Sequence, residues 1–107
     1  MVIKQFDVIL INLDPTIGHE IKKSRPCLVI SPDELNRNLH TLVIAPMTTR
    51  SHSYPSRVLV GFQGKKGWIV LDQIRTIDRL RVLKHLGCVE HKTIMEVRSV
   101  LKEIFVA

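Results

Sequence analysis

V-I-L-I-N-L-D-P-T-I-G-H-E-I-K-K-S-R-P-C-L-V-I, residues 8–30, sets two apolar runs on either side of a polar segment that carries Pro15 and Gly18. Val8-Ile9-Leu10-Ile11 and Cys27-Leu28-Val29-Ile30 are short, rich in β-branched residues and bounded by breakers. That pattern predicts strands over residues 6–13 and 26–31. Between them, residues 12–26 bring His19, Glu20, Lys22, Lys23 and Arg25 into one short segment. A connection between two strands displays its side chains from a rigid base. Candidate proton acceptors and phosphate-seeking cations are therefore offered together.

Outward from this stretch the chain continues as short strands. Residues 41–47, T-L-V-I-A-P-M, predict a third strand, with Pro46 near its end where a missing ladder donor is tolerable. Residues 58–60 predict a fourth, residues 61–67 (G-F-Q-G-K-K-G) a turn region, and residues 68–71 a fifth. A turn near Asp78 leads to a small strand over residues 81–83. Ser31-Pro32-Asp33 reads as the start of a short connecting helix over residues 33–37, with Pro in the first turn. Residues 48–56, polar and containing Pro55, read as a long exposed loop.

The C-terminal segment changes period. Ile94, Val97, Leu101 and Ile104 recur at spacings of three and four, joined by Val100 and Phe105, while Lys92, Glu96, Arg98, Lys102 and Glu103 take the other side. This predicts an amphipathic helix of about fourteen residues with one face on a sheet. Many short strands, no strand–helix alternation and one terminal helix predict a mainly β fold, a small, strongly curved antiparallel barrel.

The chain has 107 residues, which fits a single domain spanning residues 1–107. A hydrophobic fraction of 45% supports a core, and at this size a homodimer is a reasonable way to hide further apolar surface. Sixteen Lys and Arg against ten Asp and Glu give a net charge of +6 and suit an anionic partner, nucleic acid or an acidic protein segment; a basic surface that only aids solubility would look the same. With one Trp, one Tyr and three Phe, an extended aromatic platform for bases is not expected. Cys27 and Cys88 follow no C-x-x-C pattern, and the five histidines show no paired ligand spacing, so no metal or cofactor is expected. No signal peptide or apolar run long enough to span a membrane is found, which places the expected location in the cytoplasm.

The usual signatures of metal or covalent catalysis are missing: there is no Gly-rich phosphate loop, G-x-S-x-G or H-E-x-x-H. One reaction that needs neither is internal transesterification of RNA, in which the substrate's own 2′-OH is the nucleophile. Such a site needs a base, a proton source for the 5′-oxygen and cations on the transition state. Glu20 or His19 suits the first role, Arg25 the charge clamp, Lys22 and Lys23 the surrounding field, and Thr48 a neutral donor. Each has a plainer reading: Arg25 as a solvated loop residue or a surface partner of Glu20, Thr48 as a strand-end hydroxyl, His19 as an exposed polar group.

L-D-P-T-x-G-H-E-x-x-K-x-R-P (residues 13–26), L-V-I-S-P-D-x-L-N (28–36), A-P-M-T-T (45–49) and L-D-Q-I-R-T-I-D-R-x-R (71–81) together closely resemble the MazF/PemK family of toxins. The resemblance covers almost the whole chain. It implies an SH3-like, CcdB/PemK-like barrel with a C-terminal helix, acting as a homodimer. The implied activity is metal-independent, sequence-specific cleavage of single-stranded RNA to a 2′,3′-cyclic phosphate and a 5′-hydroxyl. The implied partner is a cognate antitoxin, bound through an acidic segment and forming with the toxin a DNA-binding complex. The family's catalytic Glu, Arg and Thr fall on Glu20, Arg25 and Thr48, and Asp72 and Gln73 carry over as groove residues; His19, Lys22, Lys23, Thr49 and Arg50 are this chain's further candidate substrate-binding residues. Gly18-His19-Glu20 and Lys22-Lys23-Ser24 depart from the commoner Gly-Ser-Glu and small-residue pair, so His19 stands as a second candidate acid or base. One branch of the family places a catalytic Arg where this chain has Val70, so that branch's mechanism does not carry over. Rival readings of the same fold are a non-catalytic, CcdB-like gyrase poison, and a barrel that only binds antitoxin or DNA.

Overall fold

The computed structural model describes residues 1–13 and 24–106. Among them are seven strands: β1 (Asp7–Asn12), β2 (Ser24–Val29), β3 (Thr41–Thr48), β4 (Arg57–Phe62), β5 (Lys65–Val70), β6 (Arg75–Asp78) and β7 (Val82–Cys88). A short helix α1 (Asp33–Asn38) joins β2 to β3, and α2 (His91–Phe105) follows β7. Every pairing is antiparallel, and the sheet runs β4-β5-β3-β2-β1-β7 with β6 beside β3. It curls into a half-barrel, the mainly β architecture with a C-terminal helix that the sequence leads one to expect.

The apolar runs are nearly continuous because both faces of the central strands are buried. Val8, Leu28, Ala45 and Met47 point into one core with Val58, Val60, Ile69, Leu71 and Val97. Ile9, Ile11, Cys27, Val29, Leu42 and Ile44 point into the other with Ile3 and Ile77. Alternation with period two thus persists, but it sorts residues between two cores rather than between core and water.

β3 is the pivot. On one edge Ile44, Ala45 and Pro46 face Val29, Leu28 and Cys27. On the other, residues 41–44 pair with β6, and Met47 and Thr48 pair with Ile69 and Trp68 of β5. A 3-10 turn, Leu71–Gln73, carries the chain from one partner to the next. Pro46 falls in the interval between them, where an absent donor is tolerated. The start of β3 is pinned by Ser31, whose hydroxyl donates to Asn36 Oδ1 at 2.6 Å and accepts from Val43 N–H at 3.1 Å, while Asn36 Nδ2 donates back to the Ser31 carbonyl at 2.8 Å.

Four local expectations are revised. The turn expected over residues 61–67 shrinks to Gln63 and Gly64, whose φ values of 50° and 77° match a two-residue hairpin of type I′; the rest is strand. β6 is an additional strand, with a single buried apolar residue, Ile77, and it forms because the edge of β3 is open to it. β7 runs well beyond residues 81–83, carried by pairing with β1 through the polar Lys84 and His85. The amphipathic helix is present, with Val97 fully buried and Ile94, Val100 and Leu101 packed on the first core. Its last turn is different: Ile104 and Phe105, expected on the packed face, are 39% and 65% exposed, because nothing in the described chain covers them.

Candidate functional site

Arg25 and Thr48 stand on neighbouring β2 and β3, at the rim shared by two cavities. Arg25 is the second residue of β2, opposite Ile11 of β1, and Thr48 is the last of β3. The first cavity, about 470 Å³, extends from them over the β4–β5 hairpin and is lined by Thr49, Lys65, Lys66 and Gly67 among others. The second, about 380 Å³, extends toward the Leu71–Gln73 turn and includes Arg50, Arg57, Gln73 and Arg75.

Among the described lining residues there is no carboxylate in either cavity. Arg25, Lys65 and Lys66 face one and Arg25, Arg50, Arg57 and Arg75 the other, so the shared rim favours an anion on either side. Arg25 is exposed, and no hydrogen bond or ion pair holds its guanidinium among the described residues. Its fork is open to a bidentate oxyanion. The Thr48 hydroxyl accepts from the Arg50 N–H at 3.1 Å and donates to the Arg50 carbonyl at 3.3 Å. The first contact fixes the oxygen; the second is long, and the proton can turn to a ligand instead.

Gly67 allows this geometry. A Cβ there would lie 2.9 Å from the Thr48 carbonyl oxygen, so only glycine lets β5 approach the end of β3 this closely. Below the rim, burial pushes the Cys27 thiol up to about 12 against the opposing pull of Arg25 and Arg75, which makes it a core residue and not a nucleophile.

Of the residues singled out from sequence, Arg25, Thr48, Thr49, Arg50 and Gln73 come together here. His19, Glu20, Lys22 and Lys23 lie outside the described residues. Asp72 lines neither cavity; its carboxylate accepts from Arg57 Nε at 3.1 Å, from Arg57 Nη2 at 3.3 Å and from Ser56 Oγ at 3.0 Å. The Arg57 hydrogen bond holds its carboxyl below the usual value, and the Arg57 guanidinium is raised in return. Sequence reasoning missed Arg57, Arg75, Lys65 and Lys66. Gln63-Gly64, taken as a two-residue hairpin turn, would have placed both lysines on a strand; Arg57 and Arg75 carry no such local signal.

The model of the family described as PemK-like, MazF-like toxin of type II toxin–antitoxin system matches residues 4–105. The chain belongs to this family. The endoribonuclease toxin MazF of Escherichia coli K12 is 35% identical over 71 residues, a match covering 66% of this chain and 64% of that protein's length. The endoribonuclease EndoA of Bacillus subtilis is 36% identical over 89 residues, covering 77% of this chain and 76% of EndoA. A chain in the crystal structure of MazE–MazF from Deinococcus radiodurans superposes with a TM-score of 0.83 at 29% identity, covering 97% of this chain and 96% of that one.

Proposed function

We propose that this protein is the toxin half of a toxin–antitoxin pair, an endoribonuclease that cleaves single-stranded RNA at a preferred sequence. The observation that carries the reading is the Arg25 fork, without a partner among the described residues, beside the Thr48 hydroxyl at the junction of two cation-lined cavities. A polyanion laid across the rim places one phosphate on Arg25 and its neighbours in the flanking cavities. The names of the MazF and EndoA relatives support RNA as that polyanion.

The chemistry is a transesterification within the substrate. The base, Glu20 or His19, takes the proton of the 2′-OH; the 2′-oxygen attacks phosphorus as the bond to the 5′-oxygen breaks. The other member of that pair, acting as acid, or a solvent water gives a proton to the leaving 5′-oxygen, and the products are a 2′,3′-cyclic phosphate and a 5′-hydroxyl. Arg25 stabilises the charge that grows on the non-bridging oxygens, and Thr48 adds a neutral hydrogen bond. Arg25 stays protonated throughout, so its role is the clamp.

The cavities also suit an acidic antitoxin segment that competes with RNA, a partnership supported by the MazE–MazF complex of a structural relative. Exposed Leu80, Leu83 and Phe105, at 91%, 55% and 65%, offer apolar surface to a second copy. Light scattering should give twice the chain mass of 12.3 kDa; a monomer at micromolar concentration refutes the dimer. Among the described residues no helix is long and apolar enough to cross a membrane, and we place a single domain, residues 1–107, acting in the cytoplasm.

Purified protein incubated with single-stranded RNA in EDTA tests the reading. Cleavage to cyclic-phosphate ends is expected. Intact RNA, or activity restored only by a divalent ion, refutes it; intact RNA with poisoned gyrase would favour the CcdB-like alternative.

A further inference from the structure

The second cavity contains a group that the cleavage step does not use. Arg57, at the start of β4, donates from Nε and Nη2 to the two oxygens of Asp72 and from Nη1 to Ser51 Oγ. One N–H on each of its three nitrogens is therefore committed to the protein, which makes it a poor clamp for phosphate. What it has left is one N–H on each of Nη1 and Nη2 and the face of its plane. The Tyr54 ring, 49% exposed, lies 4.6 Å from the guanidinium carbon, and His52 meets that ring edge-on at 6.4 Å and 82°. Residues of the 49–56 loop and the 71–73 turn thus hold one guanidinium plane in a fixed orientation at the cavity wall.

The rest of that cavity has the lining that a heteroaromatic ring needs. Leu13, Pro46 and Val70 give apolar walls, and Gln73 brings an amide with no hydrogen-bond partner among the described residues. Arg25 and Arg50 stand close enough to line the same space, so phosphates on either side of a bound ring meet positive charge. Single-stranded RNA is read by splaying bases out onto aromatic or arginine planes and pairing their edges with polar groups. A volume of about 380 Å³ holds one such base.

We infer that the second cavity is a nucleobase subsite, in which Arg57, backed by Tyr54, is the stacking wall for one base next to the cleaved phosphate. Asp72 is then a positioning residue that acts through Arg57 and does not touch RNA. The inference rests on the RNA-cleavage reading above and names the device that selects one base of the target.

A single-stranded RNA pool with a randomised window, cleaved by wild type, gives the preferred base at each position around the cut. Arg57→Lys keeps the charge and removes the plane; it should relax the preference at one position and leave the others. Tyr54→Ala, at a half-exposed ring, should relax the same position, as should Asp72→Asn. In the second arm the preferred sequence carries a 2′-deoxyribose at the scissile step and an abasic site at each position in turn. Wild type should lose roughly ten- to a hundredfold in affinity at that same position, and Arg57→Lys should bind abasic and intact oligonucleotides equally there. A base profile unchanged in Arg57→Lys and Tyr54→Ala, or relaxed evenly at every position, overturns the subsite while leaving the ribonuclease intact. If wild type cleaves no RNA in the pool, the cleavage reading fails and the subsite falls with it.

Discussion

Gly67→Ala tests whether the rim depends on the close approach of β5 to β3. The added Cβ would sit 2.9 Å from the Thr48 carbonyl oxygen, against the ~3.4 Å at which ordinary contact begins. The obstacle is backbone, so relief requires the end of β3 to move by about half an ångström or β5 to peel away. Thr48 pairs with Trp68, the very next residue, so both strands resist. Overpacking of this kind costs about 1–3 kcal/mol. A misplacement near 1 Å at a reacting centre costs on the order of a hundredfold in rate, so half of that should lower RNA cleavage roughly tenfold. Gly61, on the same hairpin, is the control: a Cβ there meets nothing within 4 Å, and Gly61→Ala should change stability by no more than ~0.5 kcal/mol. Single-turnover cleavage and thermal unfolding of the two variants, side by side, decide the matter. Gly67→Ala with full activity and the melting temperature of Gly61→Ala would refute the close-approach argument.

Arg25→Ala should slow cleavage by about 10²–10³-fold, near ~3 kcal/mol, with little change in melting temperature because the side chain is exposed. Thr48→Ala should cost less, since a neutral donor binds an oxyanion more weakly than an ionised one; the reverse order in single-turnover rates would contradict the clamp. Asp72 has its carboxyl lowered from an ordinary 3.8, first by Arg57, with burial opposing and Ser56 assisting. Its contribution to stability is therefore present above that ordinary value and lost as pH falls through the lowered one. The gap in melting temperature between wild type and Asp72→Asn should close on acidification; a gap that is constant with pH would show that the Arg57 pair does not stabilise the loop. Cys27, buried with its thiol near 12, should resist iodoacetamide in the native protein while exposed Cys88 reacts, giving one adduct by mass; two adducts without unfolding would refute the burial argument.

Some of this molecule is written locally in its chain. The runs at residues 8–11, 27–30 and 41–47 were legible as strands because β-branched residues bounded by breakers have few other ways to bury both faces. Helix α2 was legible from its period, and Arg25 and Thr48 from the motifs around them. Other features follow only from which edge lies open beside which strand. β6 has one buried apolar residue and exists because β3 offers a partner. Ile104 and Phe105 follow the helical stripe perfectly well, yet the chain ends its sheet before reaching them. The sharpest case is at the site itself. Arg57 and Asp72 are fifteen residues apart, and Asp72 reads from its motif as a groove residue. Folding turns its carboxylate onto Arg57, and Arg57 lines the second cavity in its place. A residue's type and spacing determine what chemistry it can offer; which partner claims that chemistry is decided by long-range packing, because hydrogen bonds reach only about 3 Å and the chain must first bring the two groups together.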